Sequence, residues 1–169
     1  MKKISFKITS GLDRAIRSNL QTRHKFAAER VGFIACSVAS LDDGLILLAK
    51  DYYPVDDDDY IDDMSVGAMM GPAAIRKALK IAYIENMCMF HVHMHEHRGV
   101  PSFSKVDLRE SSKFIPDFWN VRPKLPHGTI VLSHDLARGL CWTPNPKSIF
   151  PITDITVTGS PLSKIWRRS

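Results

Sequence analysis

The run Met87–His95, MCMFHVHMH, constrains this chain more than any other segment. An apolar start followed by alternation without a helical period predicts a buried strand. Successive side chains on a strand point to opposite faces, so His91, His93 and His95 lie on one side and Val92 and Met94 on the other. Whatever the chain folds into must accommodate three imidazoles converging from one strand.

The segments around it alternate between the two regular structures. Lys3–Thr9 alternates like a strand. From Ser10 to Arg30, the residues Leu12, Ala15, Ile16, Leu20, Phe26 and Ala27 fall at mostly helical spacing, with Ser10 as the expected N-cap. Val31–Ser40 and Leu45–Tyr53 are β-like and are joined by Leu41-Asp42-Asp43-Gly44, whose Asp-Gly pair predicts an antiparallel hairpin. The acidic stretch Asp56–Asp63 follows Pro54, breaks the periodicity, and is expected as a solvated rim loop. Gly71-Pro72 opens a helix whose Ile75, Leu79 and Ala82 or Tyr83 should line one face. Ser104 is a good N-cap for a helix through about Lys113, with Asp107 one turn in. HGTIVLS, RGLCWT and Ile152–Val157 read as further strands, and no repeat appears. The expected fold class is therefore mixed α and β (α+β) in one domain spanning residues 1–163, with a basic, disordered tail at 164–169.

Composition narrows the function classes. The 169 residues are 44% hydrophobic and 24% charged, enough apolar material for a core without disulfides. Cys36, Cys88 and Cys141 are odd in number, widely spaced and set in apolar runs, which suits reduced buried thiols and a cytoplasmic location. No signal-like apolar stretch or membrane-length segment is present, so neither secretion nor membrane association is expected. The net charge of +5 is diffuse and lacks the aromatic-interleaved basic stripe of nucleic-acid binding, so no nucleic-acid partner is expected. The acidic run lacks the spacing of a calcium loop. Met64, Met69, Met70, Met87, Met89 and Met94 are read as packing, and the isolated His24, His127 and His134 as structural or exposed.

The histidine strand acquires chemistry through Asp107. A short loop can fold the first turn of the Ser104 helix back against the strand end. Two histidines with one aspartate leave a fourth tetrahedral position open, the arrangement of a catalytic rather than a structural zinc site.

At these residues the chain resembles the JAMM (MPN-domain, JAB) metallopeptidases, whose signature is an upstream Glu, then His-x-His, then Ser-x-x-Asp. The matching pieces are Glu29 within AAERVGFIA, His91-Val92-His93 after MCMF, and Ser104-Lys105-Val106-Asp107. The likeness runs from about Ile16 to Val157 in element order and includes the helix Ala73–Glu85 before the histidine strand. The register is open by two residues. Ten residues separate His93 from Ser104, more than the family's usual interval, while eight separate His95 from Ser104. The position of the apolar strand favours His91 and His93 as the pair, leaving His95 and His97 in the following loop.

The resemblance implies an MPN/JAB-like curved sheet flanked by helices, a single catalytic Zn2+ held by His91, His93 and Asp107, Glu29 as general base, and Ser104 as an oxyanion donor. It implies metal-assisted hydrolysis of the amide or isopeptide bond after the C-terminal tail of ubiquitin or a ubiquitin-like protein. The small stand-alone chain is similar to bacterial members that accompany ubiquitin-like, activating-enzyme and conjugating-enzyme partners, including in antiviral defence. Two alternatives are a carrier-protein peptidase in sulfur or cysteine metabolism and a non-catalytic MPN scaffold.

Overall fold

The histidine strand sits at the centre of a nine-stranded mixed sheet. The computed structural model describes residues 3–63, 65–145, 147–159 and 162–167. Its strands are β1 (Lys3–Thr9), β2 (Val31–Leu41), β3 (Gly44–Pro54), β4 (Cys88–Met94), β5 (His127–Leu132), β6 (Ala137–Pro144), β7 (Lys147–Pro151), β8 (Asp154–Thr158) and β9 (Ser163–Arg167). Three helices join them: α1 (Ser10–Leu20), α2 (Pro72–Glu85) and α3 (Lys105–Phe114). The sheet order is β7-β6-β5-β4-β2-β3-β1-β8-β9. The fold class is therefore mixed α and β as expected, and it is dominated by the sheet. Its far parts meet, since the Arg138 guanidinium on β6 lies 4.9 Å over the Trp166 ring on β9. No helix among the described residues is long and apolar enough to cross a membrane.

Every residue of β4 is buried, because both faces of the strand are covered. Cys88, Phe90, Val92 and Met94 join the core cluster that includes Ile4, Phe6 and the α1 residues Ile16 and Leu20. On the other face Met89 packs with Phe33, Ala74, Ala78 and Phe118. This explains the near-continuous apolar start of the segment, which is what a strand covered on both sides requires.

Several expectations shift. The helix after β1 ends at Leu20 rather than near Arg30, and its N-cap is Thr9, whose side chain accepts from the Leu12 amide. Residues 21–30 form a loop instead, held by the Arg30 side chain, which donates to the Thr22 carbonyl at 2.9 Å and pairs with Asp57 at 2.6 Å. The acidic stretch contains a short 3-10 turn, Asp57–Asp59, and Lys77 of α2 bridges Asp56 and Asp59 at 2.7 and 2.6 Å. The buried stripe of α2 is Ala74, Ala78 and Ala82, and Tyr83 is exposed. The expected tail from Lys164 is an edge strand through Arg167, paired antiparallel with β8; residues 168–169 and Met64 lie outside the described residues. The Trp166 indole donates to the Ile152 carbonyl, an anchor that the charged flanks of the segment conceal. β7 was also not expected. The Asp-Gly hairpin between β2 and β3 does form, and Cys36, Cys88 and Cys141 are free and buried.

The start of β2 is held from the side. The Val31 amide donates to the Tyr60 hydroxyl at 2.8 Å, and the Val31 carbonyl accepts from the Val55 amide at 3.1 Å. Tyr60→Phe leaves a buried amide without its acceptor and should lower stability by about 1–3 kcal/mol in urea unfolding, with the slope of the transition unchanged.

Candidate metal centre

The antiparallel register between β2 and β4 builds the site. Val31 is paired with His93, so the chain two residues earlier, at Glu29, runs alongside His95. On the other flank, β5 pairs in parallel with β4 through Met94 and Leu132, and the His95 amide continues the ladder to the Leu132 carbonyl at 2.9 Å. The loop that follows is fastened to the β5–β6 turn. His134 donates its amide to the His97 carbonyl, and the Gly99 amide donates to Asp135 at 2.8 Å. Gly99 has φ +92°, a conformation that favours glycine.

Helix α3 delivers the carboxylate. Its N-terminus is a reciprocal capping box in which the Ser104 hydroxyl accepts from the Asp107 amide at 3.1 Å and the Ser104 amide donates to Asp107 Oδ2 at 2.7 Å. The cap fixes the Asp107 rotamer and directs Oδ2 at the histidines.

The side chains that meet Asp107 are His93 and His95. Their Nε2 atoms stand 3.4 and 3.7 Å from Asp107 Oδ2. The donor atoms of Glu29, His93 and His95 all lie within 4.8 Å of one another. His91, expected as the first ligand, is elsewhere. Paired with Phe33 and Thr129 on the neighbouring strands, it sits with its ring edge-on to Phe33 and Phe114 and with Nδ1 3.4 Å from Thr129 Oγ1. The two histidines beside Asp107 are thus His93 and His95, where His91 and His93 were the expected pair. The physical reason is that β4 ends at Met94, so the carboxylate reaches the strand's end rather than its interior. His97 is exposed in the loop, with Nδ1 2.9 Å from the Arg98 carbonyl oxygen. Of the isolated histidines, His24 and His127 are buried and His134 is exposed. His24 accepts the Phe26 and Ala27 amides, and His127 accepts the Met89 amide.

Two observations test whether these residues fit a metal. His93 is 2% exposed, and neither of its ring nitrogens has a hydrogen-bond partner among the described residues; the 3.4 Å approach to Asp107 is too long for a good one. A buried nitrogen left so is costly unless something else satisfies it. The spacing also suits an ion, since two ligands about 2.1 Å from a tetrahedral zinc stand about 3.4 Å apart. Two imidazoles and one carboxylate are the donor set of a catalytic zinc site, and the residues present fit it.

The electrostatics separate the carboxylates. Burial alone would raise the Asp107 carboxyl, but His93 beside it and the hydrogen bonds from Ser104 prevail and hold it well below the usual range. Glu29 goes the other way. Burial raises its pKa, and His93 offsets this while the charges of Asp107 and Glu96 add to the rise. Burial and the neighbouring His93 lower His95. His91 is pushed down to about 3 by burial first and by His93 second, so the ring is neutral.

These groups line one cleft of about 420 Å3. One wall is the loop carrying Val66, Ala68, Met69 and Met70, and the other is α3 with Val106 and Glu110. The first wall touches Glu29 directly, because the Glu29 amide donates to the Gly67 carbonyl at 3.0 Å and a Cβ on Gly67 would stand 2.9 Å from the Glu29 carboxyl carbon. This wall carried no sequence signal beyond two methionines.

No family model matches the chain, and no curated protein does. Among solved structures, the STIL N-terminal domain of Trichoplax adhaerens aligns with a TM-score of 0.39 and 15% identity over 79% of this chain. The chain spans 40% of the length of that structure, and the likeness is too loose to bear on fold or activity.

Zinc binding should therefore depend on His93, His95 and Asp107. At zinc about 100-fold above Kd, the wild type should gain about 2.7 kcal/mol, a rise in Tm of roughly 5–10 °C. His93→Ala, His95→Ala and Asp107→Ala should show no rise and no stoichiometric zinc by elemental analysis, while His91→Ala at saturating zinc still binds one ion. Loss of stoichiometric zinc in His91→Ala with retention in His95→Ala would restore the other pair.

Proposed function

We propose that the chain is a zinc-dependent isopeptidase of the JAMM (MPN-domain) type, hydrolysing the amide bond after the C-terminus of a ubiquitin-like protein. The observation that carries this reading is the convergence of Glu29, His93 and His95 in one cleft, with Asp107 beside the two histidines and Ser104 at the cap of the helix that brings it. The MPN-like assignment of the mixed sheet belongs to the same proposal, as do the ubiquitin-like substrate and the pathway setting among activating and conjugating enzymes in antiviral defence.

His93, His95 and Asp107 would hold the zinc. A bound zinc would supply Lewis acidity and a water of lowered pKa, toward about 7. Glu29, whose carboxylate lies with the histidine nitrogens, would take a proton from the attacking water and return it to the leaving amine. Its raised pKa suits that work, since a base is most effective when its pKa approaches the operating pH. The Ser104 oxygen is occupied at the helix cap as an acceptor, but its own O–H is free to donate. The N-cap role and the oxyanion role therefore use different ends of one hydroxyl, and the second stabilises negative charge where it develops. The loop wall and α3 line a cleft that would offer an extended peptide tail apolar contacts from Val66, Ala68 and Met70.

Glu29→Gln should keep the fold and zinc while hydrolysis of a ubiquitin-like fusion falls by about 10²–10⁴-fold. Gly67→Ala should act on the same carboxylate by displacing it, lowering kcat with Tm and zinc content unchanged. Turnover at the wild-type rate in Glu29→Gln would remove it from the chemistry. A panel of ubiquitin-like and sulfur-carrier fusions separates deconjugation from carrier processing by which fusion is cleaved.

A further inference from the structure

A second cavity, of about 450 Å3, adjoins the metal cleft. It is lined by the end of α1 at Leu20, by the loop over residues 21–28, and by Glu96. Both lining segments run directly into the metal centre, since Ala28 precedes Glu29 and Glu96 follows His95. Glu29 and His95 in turn line the first cleft, so the two cavities meet at this pair.

One lining residue holds a polar group that nothing in the fold satisfies. His24 is 6% exposed, and its Nε2 is buried with no hydrogen-bond partner among the described residues. The other ring nitrogen fixes the tautomer. Nδ1 accepts the Phe26 and Ala27 amides at 3.3 and 3.1 Å, which requires a lone pair there and leaves the ring proton on Nε2. The Phe26 ring, edge-on at 4.6 Å, and the tilted Tyr60 ring at 4.4 Å hold the imidazole in place. The cavity is therefore lined by a fixed histidine with an N–H donor and no acceptor, a group that is costly until one arrives.

The remaining lining says what should bring that acceptor. Leu20, Phe26 and Ala27 are apolar, as peptide side chains and stems require, and the exposed Arg23 and Lys25 outnumber the one carboxylate, Glu96. We propose that this cavity is the subsite for the target segment on the leaving side of the scissile amide: a backbone carbonyl beside the modified lysine accepts from His24 Nε2–H, and acidic target side chains pair with Arg23 and Lys25. This rests on the isopeptidase reading. There the cleft lined by α3 takes the ubiquitin-like tail, and the second cavity is the one left for the chain that carries the amine.

The test uses the full chain and isopeptide conjugates of the ubiquitin-like protein that the fusion panel selects. These are joined to short capped peptides that differ only in the residues flanking the modified lysine. The wild type should cleave the aspartate-flanked conjugate with a kcat/KM about 10-fold above the arginine-flanked one, and Arg23→Glu combined with Lys25→Glu should abolish that preference. His24→Asn, whose side-chain oxygen can replace Nδ1 as acceptor while Nε2 is lost, should lower kcat/KM for both conjugates about 3–10-fold at unchanged zinc content. Titration with the free aspartate-flanked peptide should move the His24 Nε2 proton in nitrogen-15-edited spectra, with more peptide needed in the doubly charge-reversed variant, which carries the test if His24→Asn fails to fold. Equal wild-type rates on the two conjugates, or a His24 proton indifferent to the peptide, would overturn the inference. If the wild type cleaves no conjugate, the isopeptidase reading falls and the leaving-side assignment with it. A His24 shift on adding peptide would then still support a peptide-binding cavity, an outcome distinct from normal cleavage with no preference.

Discussion

Everything at the site depends on the pairing of Val31 with His93 across the β2–β4 ladder. A strand's side chains alternate, so a slip of one residue would turn the imidazoles into the opposite core, where Phe90, Val92 and Met94 now pack. The register is secured because β4 is buried on both faces, and a slip would also put apolar side chains where the imidazoles now stand. From that single pairing follow the position of Glu29 beside the strand's end, the exit of the chain at His95, and the need for the loop from 95 to 100 to be tied to the β5–β6 turn through Asp135.

The same arrangement carries an energetic cost. Among the described residues His91 Nε2 and both nitrogens of His93 are buried without hydrogen-bond partners, and each such group costs about 1–3 kcal/mol. A native fold tolerates this where function requires it, and an ion held at His93, as proposed, would offset part of the cost. The two carboxylates are driven apart by their surroundings. His93 and the helix cap hold the Asp107 carboxyl well below the usual range, while burial raises that of Glu29. Two acids a few ångströms from one imidazole thus acquire different aptitudes from their environments.

Much of this was legible in the residues. The Asp-Gly hairpin, the buried histidine strand and the Ser104 cap each have a local cause, and each is found where the sequence places it. What was not legible depends on long-range contacts. Alternation puts His91, His93 and His95 on one face without distinction. Only the end of β4 and the approach of α3 separate a histidine packed against Phe33 and Phe114 from two that face Asp107. The loop over residues 21–30 keeps helical spacing but is held open by Arg30, paired to an aspartate 27 residues away. β9 was hidden because its five residues mix charged and apolar types without clean alternation, at an edge where a charged strand is an ordinary way to discourage pairing with another chain. The contact of Gly67 with Glu29 left no signal, since a close approach of backbone to a carboxylate is a tertiary event.

Anomalous diffraction from zinc-soaked crystals would show which three side chains hold the ion. One zinc peak is expected within about 2.0–2.2 Å of nitrogens of His93 and His95 and an oxygen of Asp107, with His91 outside the coordination sphere. A zinc bound through His91, or no peak at this cleft, would contradict that ligand set.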